Sequence, residues 1–117
     1  SENPDGMHLK FVLNPDDLSV SCDFSIGGKY QGYDNLTHGG ILATILDCAM
    51  VHCLFARHIT AVTVEMNVKY RHPVEINTPT TVTAQLLEQS HGIYQLSANI
   101  SQLGLLKTTA RARFYKT

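Results

Sequence analysis

The chain has 117 residues, 44% of them hydrophobic and 16% charged, with a formal net charge of -1. That length gives room for one core rather than two, so a single domain over residues 1–117 is expected. No basic stripe or like-charge run points to nucleic acid, and no apolar run reaches the length that spans a bilayer.

The N-terminus, Ser1-Glu2-Asn3-Pro4, carries neither a basic region nor an apolar one, so no signal peptide is expected there. Met7 to Leu13 roughly alternates and reads as a strand; Asn14-Pro15-Asp16-Asp17 reads as a turn. Leu18 to Ile26 alternates strictly, with Leu18, Val20, Cys22, Phe24 and Ile26 opposed by Ser19, Ser21, Asp23 and Ser25. That is the pattern of a half-buried strand. Gly27 to Thr37 is rich in Gly, Tyr, Asp and Asn and reads as a loop. From Ile41 to Ala56 only Thr44, Asp47 and His52 interrupt an apolar run too long for a strand, which predicts a helix. A helix apolar nearly all round is expected to be buried on most of its circumference.

The remaining segments predict four strands: Thr60–His72, Thr80–Ser90, Ile93–Leu103 and Leu105–Tyr115. In the first, Val62, Val64, Met66, Val68 and Tyr70 are expected on one face and Thr63, Glu65, Asn67, Lys69 and Arg71 on the other. His91-Gly92 and Gly104 mark the turns between the later ones. The order β-β-α-β-β-β-β fits an α+β architecture in which a long antiparallel sheet folds around one helix. Cys22, Cys48 and Cys53 make neither an even set nor a CxxC pair, which fits a reduced, cytoplasmic chain. The low charge content favours burying part of the surface in an oligomer.

Asp47 is the most unusual residue. A carboxylate within an apolar helix costs several kcal/mol to bury unless it is paired or neutralised, at roughly the scale known for buried charges. It either belongs to one wet stripe with Thr44 and Val51 or is held in a pocket as a base or nucleophile. His38-Gly39-Gly40 opens the helix. Glycines there let a ligand approach backbone N–H groups that can stabilise an oxyanion, or they form a plain glycine-rich turn.

Taken together, His38-Gly39-Gly40-x6-Asp47 and Thr63-x6-Tyr70-x2-Pro73 resemble the hotdog-fold acyl-CoA thioesterases of the phenylacetate-pathway (PaaI-like) branch, over about Gly6 to Phe114. The resemblance implies the hotdog fold, hydrolysis of acyl-CoA thioesters without a further cofactor, and a homodimer or a dimer of dimers. It implies that Asp47 is the catalytic base or nucleophile and that the Gly39 N–H polarises the thioester carbonyl. It implies that Thr63, from the partner subunit, holds the attacking water. His38, Gly40 and Gly32 are implied substrate contacts, with Gly32 standing where many relatives have Asn and Cys48 where close relatives often have a second acid.

Other residues invite other readings. Cys48 and His52, spaced i,i+4, are a nucleophile pair or an ordinary Cys beside a satisfied His. Six histidines without HExxH or a carboxylate cluster give no metal site. Arg71, Arg111 and Arg113 meet coenzyme A phosphates or form a solvated face. Tyr30 and Tyr33 line an acyl pocket or pack on its rim. Rival functions on the same fold are a hydratase or dehydratase, which needs a His beside the acid, and a non-catalytic acyl-CoA sensor, which gains nothing from a buried acid.

Overall fold

Helix α1 runs from Gly39 to Phe55. Leu42, Ile45, Leu46, Ala49, Met50, Cys53 and Leu54 are its buried residues. Their spacing covers one broad side of the helix, as the helical repeat dictates. Gly40, Thr44 and Phe55 are exposed, and Asp47, Cys48 and Val51 are half-buried. The expectation of a helix buried most of the way round is therefore corrected: the sheet covers one side. The C-terminus closes as a Schellman motif, with Ile59 N donating to Leu54 O and His58 N to Phe55 O. His58 takes the left-handed position there, at φ 60.

The computed structural model describes residues 9–27, 31–33, 36–37 and 39–117. Within them the strands are β1 (Val12–Leu13), β2 (Val20–Phe24), β3 (Gln31–Tyr33), β4 (Leu36–Thr37), β5 (Ala61–Tyr70), β6 (Thr80–Ser90), β7 (Ile93–Gln102) and β8 (Leu105–Lys116). A six-stranded sheet has the order β1-β2-β6-β7-β8-β5, and every pairing in it is antiparallel. Helix α1 packs across β6 and β7, with lighter contacts to β2 and β5. One helix laid on one long antiparallel sheet is the hotdog fold. The predicted strands and their order recur, except that the first, expected over Met7–Leu13, is only Val12–Leu13 among the described residues, with Leu9 to Phe11 outside it, and there is one addition. The segment 27–37, expected as a loop, contains the small hairpin β3–β4. Its strands are too short to alternate visibly. Tyr30 lies outside the described residues.

The core lies between α1 and the sheet. Phe114, Leu46, Met50, Leu96, Ile100 and Val82 are its large, fully buried members. Burial pushes the thiols of Cys22 and Cys53 above their ordinary range, because the charged form is the one that loses solvation. Gln102, also buried, holds the loop after Pro73 in place: its amide donates to Glu75 O and Thr80 Oγ1 at 2.9 Å each, and its carbonyl accepts from Glu75 N at 3.1 Å. Lys107 Nζ reaches Pro73 O at 2.9 Å. These bonds fix the chain beside the helix N-terminus.

Both later hairpins turn through two residues with positive φ, His91-Gly92 (53 and 80) and Leu103-Gly104 (50 and 82). This is the twist-matched hairpin geometry. Leu103 is 83% exposed, so its left-handed backbone is uncompensated by packing. Replacing Leu103 by Asn, which tolerates that region, should raise unfolding stability by about 1 kcal/mol in urea titration. Gly104→Ala, which meets no atom within 4 Å, should instead lower it by about 1 kcal/mol through backbone strain alone. Equal signs for the two substitutions would contradict the turn assignment.

Candidate active site

The geometry of the site begins with an irregularity in β5. Thr63 pairs with Phe114 and Glu65 with Arg113, so Val64 has no partner of its own. This is a β-bulge, and one inserted residue reverses which face each side chain takes. Beyond the bulge Met66 and Val68 lie opposite the buried Ala112 and Ala110, on the helix side. Before it Thr63 lies opposite the fully buried Phe114 and so also faces the helix. The expected strict alternation, with Val62 and Val64 sharing a face with Met66 and opposing Thr63, is corrected accordingly. Val62 and Val64 are 53% and 56% exposed.

The reversal brings Thr63 to Asp47. Thr63 Oγ1 donates to Asp47 Oδ1 at 2.8 Å, 16 residues away in the same chain. The two meet within one subunit, which corrects the expectation that Thr63 comes from a partner. Asp47 is half-buried, with one carboxylate oxygen held by a hydroxyl. It lies on the side of α1 that the sheet leaves uncovered, between the exposed Thr44 and the half-buried Val51.

The other end of the helix carries a second group of residues. Gly39 is the first residue of α1, so its N–H lies outside the helix's own hydrogen bonding. The macrodipole adds positive potential at that end. Tyr70, the last residue of β5, donates its hydroxyl to Gly39 O at 3.1 Å and lays its ring beside Gly39. Gly39, Gly40, Leu42, Tyr70, Arg71, His72, Pro73 and Val74 line a pocket of about 490 Å³ there. Tyr70 was part of the sequence motif, but alternation gave no sign that it would anchor the helix start.

The remaining candidates divide. His38 lies outside the described residues. Gly32 is in β3, next to Tyr33, which pairs with Leu36 two residues before His38. Cys48 Sγ is 3.9 Å from His52 Nδ1, but that nitrogen is 3.1 Å from Cys48 O. A carbonyl only accepts, so the tautomer that satisfies this contact carries its proton on Nδ1 and leaves that nitrogen no lone pair for the thiol. Phe11 stacks on the same ring, with centroids 4.4 Å apart. These contacts give His52 a structural role. Arg71, Arg111 and Arg113 are exposed, and Arg113 forms an ion pair with Glu65. Among the described residues no three or more His, Cys, Asp or Glu side chains gather as a metal site would require, and no helix is long and apolar enough to cross a membrane.

Residues 34–102, more than half the chain, match the family model described as the thioesterase superfamily. The chain belongs to the thioesterase superfamily. Its similarity to the acyl-coenzyme A thioesterase THEM4 of Bos taurus is 30% identity over 98 residues, 82% of this chain and 40% of that one. The chain thus spans about two fifths of the length of that relative. Among solved structures, a thioesterase protein from Streptococcus pneumoniae crystallised with coenzyme A superimposes with a TM-score of 0.81 at 17% identity, covering 85% of this chain and 81% of that one. A variant of the phenylacetic acid degradation protein PaaI from Thermus thermophilus gives 0.83 at 17% identity, with 93% of each chain covered. At such identities the superpositions speak for the hotdog fold alone.

In this superfamily member the helix start tolerates a methyl group. A Cβ on Gly39 would meet the Tyr70 ring at 3.5 Å, an ordinary contact. Gly39→Ala should therefore fold and lose no more than about 1 kcal/mol in denaturant titration. Tyr70→Phe keeps the ring and loses one hydrogen bond, so it should cost about 1 kcal/mol. A loss several-fold larger in either variant would mean that the helix start is packed more tightly than these distances state.

Proposed function

We propose that the chain hydrolyses acyl-CoA thioesters, with Asp47 as general base. The Asp47–Thr63 pair carries the reading: a half-buried carboxylate on the uncovered side of the helix, one oxygen held by a hydroxyl at 2.8 Å. Membership of the thioesterase superfamily supports it. So do two further crystal structures of the S. pneumoniae protein, one with a Thr and one with an Asp replaced by Ala, at positions separated as Thr63 and Asp47 are here.

The chemistry follows from the donors and acceptors. With Oδ1 accepting from Thr63, Oδ2 remains to take a proton from water, and the Thr63 oxygen can accept that water's other hydrogen. The water oxygen attacks the thioester carbonyl carbon, and its proton passes to Asp47. The carbonyl oxygen becomes an oxyanion and is held by a helix N-terminal N–H, that of Gly39. Collapse breaks the C–S bond, and the proton returns from Asp47 to the departing sulfur. The products are a carboxylic acid and coenzyme A; water is the co-reactant, and the scheme calls for no cofactor. His38 and Gly40 flank Gly39 in the chain and Gly32 lies seven residues before it; these three are the proposed substrate contacts.

The scheme needs two copies of the chain. Gly39 and Asp47 lie eight residues apart on one helix, about 12 Å along its axis. A base acting through one water on a carbonyl carbon and the donor on that carbonyl's oxygen stand within about 8 Å of each other. Strand β5 is an edge of the sheet, ten residues long. Its Tyr70 end lies at Gly39 and its Thr63 end at Asp47. Antiparallel pairing of two β5 edges about a two-fold axis would set the Gly39 end of one copy against the Asp47 end of the other. The same pairing would cover apolar surface at Val51 and Val64. A homodimer, or a dimer of dimers, is therefore part of the proposal. One domain over 1–117 supplies each half-site, and the buried thiols fit a reducing, cytoplasmic setting.

The direct test is thiol release from a panel of acyl-CoA substrates. Asp47→Asn should remain folded and hydrolyse at least about a hundredfold more slowly, the usual scale for losing a general base. Thr63→Ser should retain most activity and Thr63→Val little, because the hydroxyl rather than the methyl does the positioning. Hydrolysis by Asp47→Asn at the parent rate would overturn the mechanism, and acyl-CoA binding without thiol release by the parent would favour a sensor.

A further inference from the structure

The face of the sheet turned away from α1 carries an unneutralised cluster of cations. Asn67, Lys69 and Arg71 of β5 and the residue after it, Thr109 and Arg111 of β8, and Ser97 and Asn99 of β7 line a groove of about 610 Å³. The register sets Asn67 and Ser97 on either side of Arg111, and Lys69 and Asn99 on either side of Thr109. Among the described residues no carboxylate belongs to the lining. Glu65, in the adjoining depression, is engaged by Arg113, whose Nε donates to it at 3.0 Å and whose guanidinium holds its carboxyl below the usual range. Among the described residues the only ion pair is that one, so Lys69, Arg71 and Arg111 have no acidic partner.

Gathering three cations without an acid is unfavourable in the empty protein, and in a chain of net charge -1 it is not a general surface property. Neutral donors at Ser97, Asn99 and Thr109 surround them, and Asn67, which donates one amide hydrogen to Glu65 at 3.2 Å, keeps a second. Guanidinium forks with amide and hydroxyl donors are what phosphate oxygens require. The volume is in the range of small-ligand sites. Arg71 also lines the pocket at Gly39, so the groove and that pocket meet around the end of β5.

We propose that this groove binds the phosphate groups of a nucleotide, with Lys69, Arg71 and Arg111 as the charged contacts. The phosphates have two possible sources, the nucleotide end of a CoA thioester reaching round β5 or a separate nucleotide acting as an effector. Only the first rests on the thioesterase reading.

The test is calorimetric binding of adenosine 3′,5′-bisphosphate, inorganic pyrophosphate and adenosine to the full chain at low and moderate salt. The two phosphate compounds should bind and weaken as salt rises, and adenosine should not bind. Arg111→Gln and Lys69→Gln should each weaken bisphosphate binding by about tenfold, the scale of one charge-assisted hydrogen bond. Arg113→Gln, whose guanidinium faces Glu65, should change it little. Competitive inhibition of acyl-CoA hydrolysis by the bisphosphate assigns the groove to the substrate's own nucleotide, and non-competitive modulation assigns it to an effector. Because binding is read without turnover, an inactive chain would sink the thioesterase reading and leave this one standing. Absence of binding, binding as tight to adenosine, or binding indifferent to Arg111→Gln overturns the proposal. So does a change of oligomeric state in Arg111→Gln without nucleotide binding, which would give the face to a second copy of the chain.

Discussion

One unpaired residue, Val64, decides where Thr63 points, and the hydrogen bond from Thr63 to Asp47 depends on it. A strand has a side-chain period of two, so a run of valines alternating with polar residues would keep every polar group on the far side of the sheet. The bulge breaks the period once, at the level of the helix where Asp47 sits. Beyond it the ordinary pattern returns, with Met66 and Val68 packed against the core and Glu65, Asn67 and Lys69 outside. Bulges gather beside active sites because they re-aim a side chain at small cost to the ladder. Here the cost is borne at an edge strand, where one lost pairing disturbs a single neighbour.

The second constraint is that the helix is more apolar than the sheet beneath it can cover. Its inner side meets β6 and β7, while Val51, Cys48 and Phe55 stay half-buried or exposed around Asp47. Apolar surface around a carboxylate makes sense if something else packs there. The proposed dimer supplies it and brings a helix N-terminus to the same place. Fold, assembly and chemistry would then share one requirement: the edge of β5 has to be paired.

Much of this was legible in the sequence. The apolar run from Ile41 and the alternating segments after Thr60 located α1 and the long strands to within a residue or two, because burial on one side imposes a period. The resemblance carried by His38-Gly39-Gly40 and Asp47 pointed to the superfamily that the family match shows. What stayed hidden was local. A bulge leaves no trace in a Val-Thr-Val-Glu alternation, which therefore puts Thr63 on the wrong face; its placement in the partner subunit came from the resemblance, and the bond to Asp47 within the chain corrects it. The strands β3 and β4 are three and two residues long, below any period that can be counted. The burial of Gln102 and Lys107, which fix the loop beside the pocket, depends on partners far away in sequence.

The central claim is that the acid and the oxyanion donor of each site come from different copies of the chain. Gly39→Pro removes the donor N–H at a helix position where proline is tolerated. Asp47→Asn removes the proposed base. Mixed after subunit exchange, the two inactive variants should form about half mixed dimers, each with one site carrying both lesions and one carrying neither. Hydrolysis should then rise to about a quarter of the parent rate by that count. Mass spectrometry showing complete exchange, with activity still at the level of the separate variants, would contradict the account.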